Sequence, residues 1–227
     1  MRASLVCLMV IVAGASASTA TAQATARACS LTEEPGAACL LARQRVVQLP
    51  HGDVYWHIDR FRSAEIARKA ALSTSTVVEA FNATWLFTLS GDSWRAKGGE
   101  RAAKVGPLPV LPASGYQAEY LRSIFVPGAT APLHTHSGPE AFFAVDGDTC
   151  LETPDGVQIG RGTGSTLLVR AGPPMLLMAI GKVTRRGFAL ILHDADAPPT
   201  TLTQAWQPTG LCARQLAADQ MKATSPM

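Results

Sequence analysis

Charged residues are scarce in this chain: they make up 16% of its 227 residues, and aromatic residues only 6%. Twenty basic and seventeen acidic side chains leave a formal charge of +3, and the basic residues are scattered, with Arg185-Arg186 the sole adjacent arginine pair. Nothing in that distribution points to nucleic acid as a partner. Heptads and Gly-X-Y repeats are absent, which excludes coiled coils and collagen. Cys-x-x-Cys is absent too, which argues against a zinc site built from cysteines. Beyond the first 26 residues no apolar run approaches the roughly 20 residues that a membrane-spanning helix needs. Turn-forming residues are plentiful, with 19 glycines and 15 prolines. A single turn-rich β domain fits these numbers.

Residues 1–24 have the layout of a secretory signal peptide. Arg2 is followed by about eleven mostly apolar residues and then a stretch of small ones, and Ala20-Thr21-Ala22 and Ala22-Gln23-Ala24 are both acceptable cleavage sites. Removal after Ala22 or Ala24 discards Arg2 and brings the charge to +2. It predicts a secreted or periplasmic protein with no stable membrane insertion after cleavage. Cleavage also discards Cys7 and leaves Cys29, Cys39, Cys150 and Cys212, an even set for an oxidising compartment. Four thiols allow three pairings. The ten-residue Cys29 to Cys39 loop closes without a long-range fold and contributes roughly 3 kcal/mol.

Residues 25–105 form an N-terminal extension with added strands and a short helix. Ser30 to Gln48 reads as a tethered lead-in, Val54 to Phe61 as a strand, and Ser63 to Ala71 as a short helix capped by Ser63. Thr76 to Leu89 reads as β structure, and Asp92 to Lys104, dense in charge, as a solvated loop. From 106 to 200 short strand-like runs alternate with turn signals, among them Asp146-Gly147 and Asp155-Gly156, which favours an antiparallel barrel or sandwich over βαβ units. Residues 201–227 read as a C-terminal tail.

Within that array Gly128, His134, His136, Glu140 and Gly147 follow the order Gly-x5-His-x-His-x3-Glu-x6-Gly. Histidines two apart on a strand face the same way, and a tight Ser137-Gly138-Pro139 turn returns Glu140 over them. Two imidazoles and one carboxylate suit a divalent metal. The spacing resembles the first motif of the cupin superfamily, small jelly-roll β-barrels. A second cupin motif, Gly-x5-Pro-x-Gly-x2-His-x3-Asn, is eroded here: Gly164 and Gly172 stand in register, while Arg170, Met175 and Ala179 replace its Pro, His and Asn. The resemblance spans about Tyr116 to Pro198. It implies a mainly β fold, a cupin-like jelly-roll barrel with an N-terminal extension, and His134, His136 and Glu140 as ligands for Fe, Mn, Zn, Ni or Cu.

Around that triad Phe142, Arg170, Met175 and His193 are the expected substrate-binding residues. Met175 could be a soft ligand, but in its apolar run it reads first as wall packing. His51 and His57 are too far apart along the chain's strand to share an ion, roughly 20 Å, and receive no role. The expectation is an exported metal-binding protein, with oxygenase, lyase or isomerase chemistry on a small polar substrate. The alternative is a non-catalytic module that holds a small ligand. Cupins often pair through barrel edges, so a homodimer is one expected state, although the extension could cover an edge within one chain.

Overall fold

The structure is a computed structural model that describes residues 26–30 and 32–224. The signal-peptide reading falls on 1–24, outside the described residues.

Fourteen strands and two helices are present among the described residues. In chain order they are β1 (Gly36–Val46), β2 (Tyr55–Phe61), α1 (Ala64–Ala70), β3 (Ser75–Ala80), β4 (Ala83–Ser90), β5 (Glu100–Val105), β6 (Tyr116–Phe125) and β7 (His134–His136). There follow β8 (Glu140–Asp146), β9 (Asp148–Thr153), β10 (Gly156–Gly160), β11 (Thr166–Val169), β12 (Leu176–Ile180), β13 (Arg185–Asp194), β14 (Thr200–Leu202) and α2 (Leu211–Thr224). All strand pairs within the sheets are antiparallel. The fold is mainly β and of the jelly-roll kind.

One wall of the barrel is a five-stranded sheet in the order β1-β6-β13-β8-β11. The other combines β10-β9-β12 with β14-β7, joined through the bridges Thr130–Met178 and His134–Met175. Outside the five-stranded wall lies a further sheet, β3-β4-β2-β5. The five-stranded sheet is thus covered on both faces, and its central strands β6, β8 and β13 are buried almost end to end. Successive side chains point to opposite faces, so both faces are mostly apolar and the few charges they carry, such as Glu119, Arg122, Glu140 and Arg185, are buried. The low charge content follows from this layering.

Two cores result. Between the five-stranded sheet and the outer sheet, Trp56, Trp85 and Phe87 meet Tyr120, Phe143 and Phe188. The rings of Trp85 and Phe87 stand edge-on to Phe188 with centroids 5.2 and 5.0 Å apart, a favourable aromatic geometry. Inside the barrel, Leu121, Phe142 and Ile191 meet Leu151, Met175 and Leu177.

Several segments depart from their expected form. Gly36 to Val46 is not a lead-in but an edge strand of the barrel, paired with β6 from Gly36–Ile124 to Val46–Tyr116. The barrel therefore draws on residues before 106. Charge at Arg43 and Arg45 concealed the strand, and Arg43 is used to pair with Glu119. The end of the expected loop, Glu100 to Val105, is an edge strand on β2, a place where charged side chains are tolerated and discourage further pairing. Thr76 to Leu89 is β structure as expected, in the form of the β3–β4 hairpin turned by Phe81 and Asn82 at φ 54° and 55°. The helix capped by Ser63 is present, its Oγ accepting from the Ile66 N–H. The tail contains α2, which Cys150–Cys212 fastens over β9 and β12. The other disulfide is Cys29–Cys39.

Candidate metal centre

β7 and β8 are joined by Ser137-Gly138-Pro139, and the tightness of that turn positions the site. A Cβ on Gly138 would stand 1.9 Å from the Leu192 carbonyl oxygen, so no other residue lets the chain pass this close to β13. The turn carries Glu140 back over the two histidines. The side-chain ligand atoms of His134, His136 and Glu140 lie within 4.8 Å of one another, and all three residues are buried.

Each imidazole is fixed by its Nδ1. His134 Nδ1 lies 2.5 Å from the Pro132 carbonyl oxygen, and His136 Nδ1 lies 2.9 Å from that of Pro199, with Thr200 Oγ1 at 3.2 Å. A carbonyl oxygen can only accept, so Nδ1 carries the proton in both rings and a neutral ring keeps its lone pair on Nε2. This is the tautomer and the outer support that metal-bound histidines use. His136 Nε2 and Glu140 Oε2 are 2.9 Å apart in an ionic contact too poorly directed for a hydrogen bond, and both atoms are buried without a hydrogen-bond partner. Two orphaned buried polar atoms facing one another fit a cation between them.

The electrostatics set the two histidines apart. Burial and then the neighbouring His136 push His134 below the ordinary histidine range. Burial also lowers His136, but the negative charge of the Glu140 carboxylate beside it outweighs burial and leaves that ring raised. Glu119, buried on β6 and held by Arg43 with Nε to Oε1 at 2.7 Å, adds to the same pull.

The triad lines a cavity of about 180 Å³ inside the barrel, together with Phe142, Met175 and Ser123. Met175 stands opposite His134 across the strand bridge, its N–H donating to the His134 carbonyl at 2.9 Å. Arg170 requires correction: it is exposed, paired with Asp155 at 2.9 Å, and does not line the cavity. The turn after β11 takes its side chain out to solvent. His193 is buried, but its Nδ1 bonds to the Asp194 carbonyl at 2.7 Å and it lies beyond the cavity lining. A larger groove of about 590 Å³ runs past Arg60, Glu79 and Asn82 on the outer sheet. It contains none of the buried titratable residues, so the smaller cavity is the chemical one.

Glu119, Ser123 and Arg185 also belong to the barrel interior, and sequence reasoning did not select them. Strand phase was the available signal: Arg185 alternates with Gly187, Ala189 and Ile191, and Ser123 with Leu121 and Phe125.

No protein-family model matches the chain, and no curated protein matches it. Among solved structures, an oxalate oxidase is similar over 38% of this chain and 46% of its own, at 19% identity and a TM-score of 0.33. A cupin-like protein from Thermotoga maritima is similar over 48% and 75%, at 14% identity and 0.34. A cupin domain from Bordetella pertussis is similar over 32% and 78%, at 19% identity and 0.28. The chain thus spans less than half the length of the oxalate oxidase it matches.

Proposed function

We propose that this cupin-like chain is an exported protein that holds a divalent ion, Fe, Mn, Zn, Ni or Cu, on His134, His136 and Glu140. It uses that ion in oxygenase, lyase or isomerase chemistry on a small polar substrate. The observation that carries the reading is the buried triad itself: three ligand atoms within 4.8 Å, with both imidazoles held through Nδ1 so that Nε2 is the free donor. A bound divalent ion supplies Lewis acidity, lowering the pKa of bound water or polarising a carbonyl.

The chain's own residues do the rest. The carbonyls of Pro132 and Pro199 orient the rings, Glu140 contributes the negative charge, and Phe142 and Met175 exclude water from the cavity. Export is supported by the signal-type N-terminus and by an even set of cysteines, both pairs of which are bridged. A mature chain beginning at Gln23 or Thr25 is expected by mass spectrometry. One observation favours a non-catalytic binding module instead: Met175 occupies the position where the second cupin motif has a histidine.

Metal analysis of the purified protein is the test. Stoichiometric metal in the wild type that is lost in the His134→Ala, His136→Ala double variant supports the site. A wild type that stays empty after incubation with each of the five ions overturns it.

A further inference from the structure

Arg185 opens β13 and is fully buried. Nε donates to Thr149 Oγ1 at 2.6 Å, Nη1 donates to Ser123 Oγ, and Nη2 is buried without a hydrogen-bond partner. No carboxylate forms an ion pair with it among the described residues. Other buried charges have a counter-charge or donors beside them: Glu119 has Arg43, Asp59 has Arg101, Arg122 has Glu33 and two carbonyls, Glu140 faces His136, and Glu152 has N–H and hydroxyl donors. Burial pushes the Arg185 guanidinium down to about 10, and the charge of Glu140 pulls against that shift without overcoming it. A guanidinium held away from water without an anion is among the costlier arrangements in a protein interior.

Its placement gives that cost a use. Arg185 shares the inner face of β13 with Gly187 and the cavity-lining Ala189 and Ile191. Gly187 is crowded from two sides: a Cβ there would stand 2.4 Å from the Phe143 carbonyl oxygen, 3.0 Å from Arg185 Nη2 and 3.3 Å from Cζ. The guanidinium therefore lies back over Gly187, whose partner across the sheet is Ser123. Ser123 lines the cavity and accepts from Arg185. With that lone pair taken, the hydroxyl has its own proton to donate, and the cation behind it strengthens the donor. Glu140 lies level with Ile191 on β13, four residues or about 13 Å of strand from Gly187.

We propose that the cavity takes a small carboxylic acid whose carboxylate is held by the Ser123 hydroxyl, with Arg185 as the positioning residue behind it. A second polar group of the same molecule reaches toward His134, His136 and Glu140; this second contact rests on the metal reading, and the first does not. The two poles select a ligand that is anionic at one end and able to meet a metal at the other.

The test is calorimetric titration of malonate, succinate and glutarate, and of their uncharged diamides, into metal-loaded and metal-stripped protein. At least one acid should bind about tenfold or more tightly than its diamide, and Ser123→Ala should remove that preference. Arg185→Met should remove it as well, while Arg185→Lys should restore part of it, which a purely structural role would not do. The inference is overturned if wild type shows no preference for acid over diamide across the series, or if the preference survives in Ser123→Ala. Should Arg185→Met fail to fold, Ser123→Ala, which deletes one hydroxyl, decides the matter. Metal content measured on the same samples separates the two readings. Loaded protein indifferent to the acids breaks this inference alone, and metal-free protein that prefers them breaks the metal reading alone.

Discussion

Phe142 and Phe143 are neighbours in sequence on opposite sides of one strand, and their surroundings differ in kind. Phe143 faces the outer sheet, with Trp85 edge-on at 6.0 Å and Phe188 stacked at 6.4 Å. Phe142 faces a cavity shared with two histidines and a carboxylate. The same alternation runs along β13, where Phe188 and Leu190 face outward and Ala189 and Ile191 inward. Interlocking rings fill the outer interface, whereas the inner one, built mainly of aliphatic side chains, leaves a cavity of about 180 Å³. Stability and chemistry are thus assigned to opposite faces of a single sheet. A protein relying on the barrel interior alone for its core would have to close the cavity to gain the same packing.

Truncating the outer face should have the largest effect. Phe188→Ala removes a ring packed against Phe81, Trp85, Phe87 and Phe143, and should cost about 3–5 kcal/mol in denaturant unfolding. The fraction that remains folded should keep the metal stoichiometry of the wild type. Coupled loss of metal in folded protein would show that the two faces are not independent.

The outer side of the second barrel wall is covered differently, by α2, and polar contacts take the place of aromatic ones. Glu152 is fully buried and accepts from the Thr209 N–H at 2.6 Å, the Thr209 hydroxyl at 2.9 Å and the Cys212 N–H at 3.1 Å. Burial raises its pKa, but these donors outweigh burial and leave it lowered. A lowered folded-state pKa means that the stabilisation is fully present above the ordinary glutamate value and is lost as pH falls through the depressed one. Glu152→Gln should therefore cost about 1.5–3 kcal/mol near neutrality and flatten the acid limb of the stability profile. An unchanged acid limb would show that α2 is held by Cys150–Cys212 and packing alone.

Replacing the inner ion pair should have the smallest effect on stability and a complete effect on the site. In the metal-free protein His136→Met with Glu140→Leu exchanges two buried polar groups for apolar ones, which is neutral or stabilising by about 1–4 kcal/mol in comparable cases. The expected result is a Tm equal to or above that of the wild type and no bound metal. A clear loss of stability would mean that the inner face also serves the fold.

The division between legible and hidden features follows the same lines. His134, His136 and Glu140 were visible in the sequence because their spacing carries a strand, a turn and a strand within seven residues. The strands from Tyr116 to His193 were visible because Gly and Pro punctuate them. β1 was concealed because an edge strand may carry Arg43 and Arg45, and β5 because its charges resemble those of a loop. α2 was concealed because its attachment depends on a disulfide 62 residues long in sequence separation and on Glu152, neither of which leaves a local periodicity. Arg185 stands out in the sequence only as half of the adjacent arginine pair. Only the phase of β13 distinguishes it from Arg186, which bonds to Asp146 outside.

The bulge in the pairing of β13 with β8, between Arg186–Asp146 and Gly187–Ala144, acquires a further meaning from this arrangement. Sliding β13 by one residue would turn Phe188 into the cavity and Ala189 into the aromatic layer, so both interfaces would fail together. A strand with one solvated face has one check against misalignment, whereas this one has two, and the extra residue of the bulge is absorbed before either begins. The alignment is encoded twice, and a substitution that blurs one copy leaves the other to enforce it.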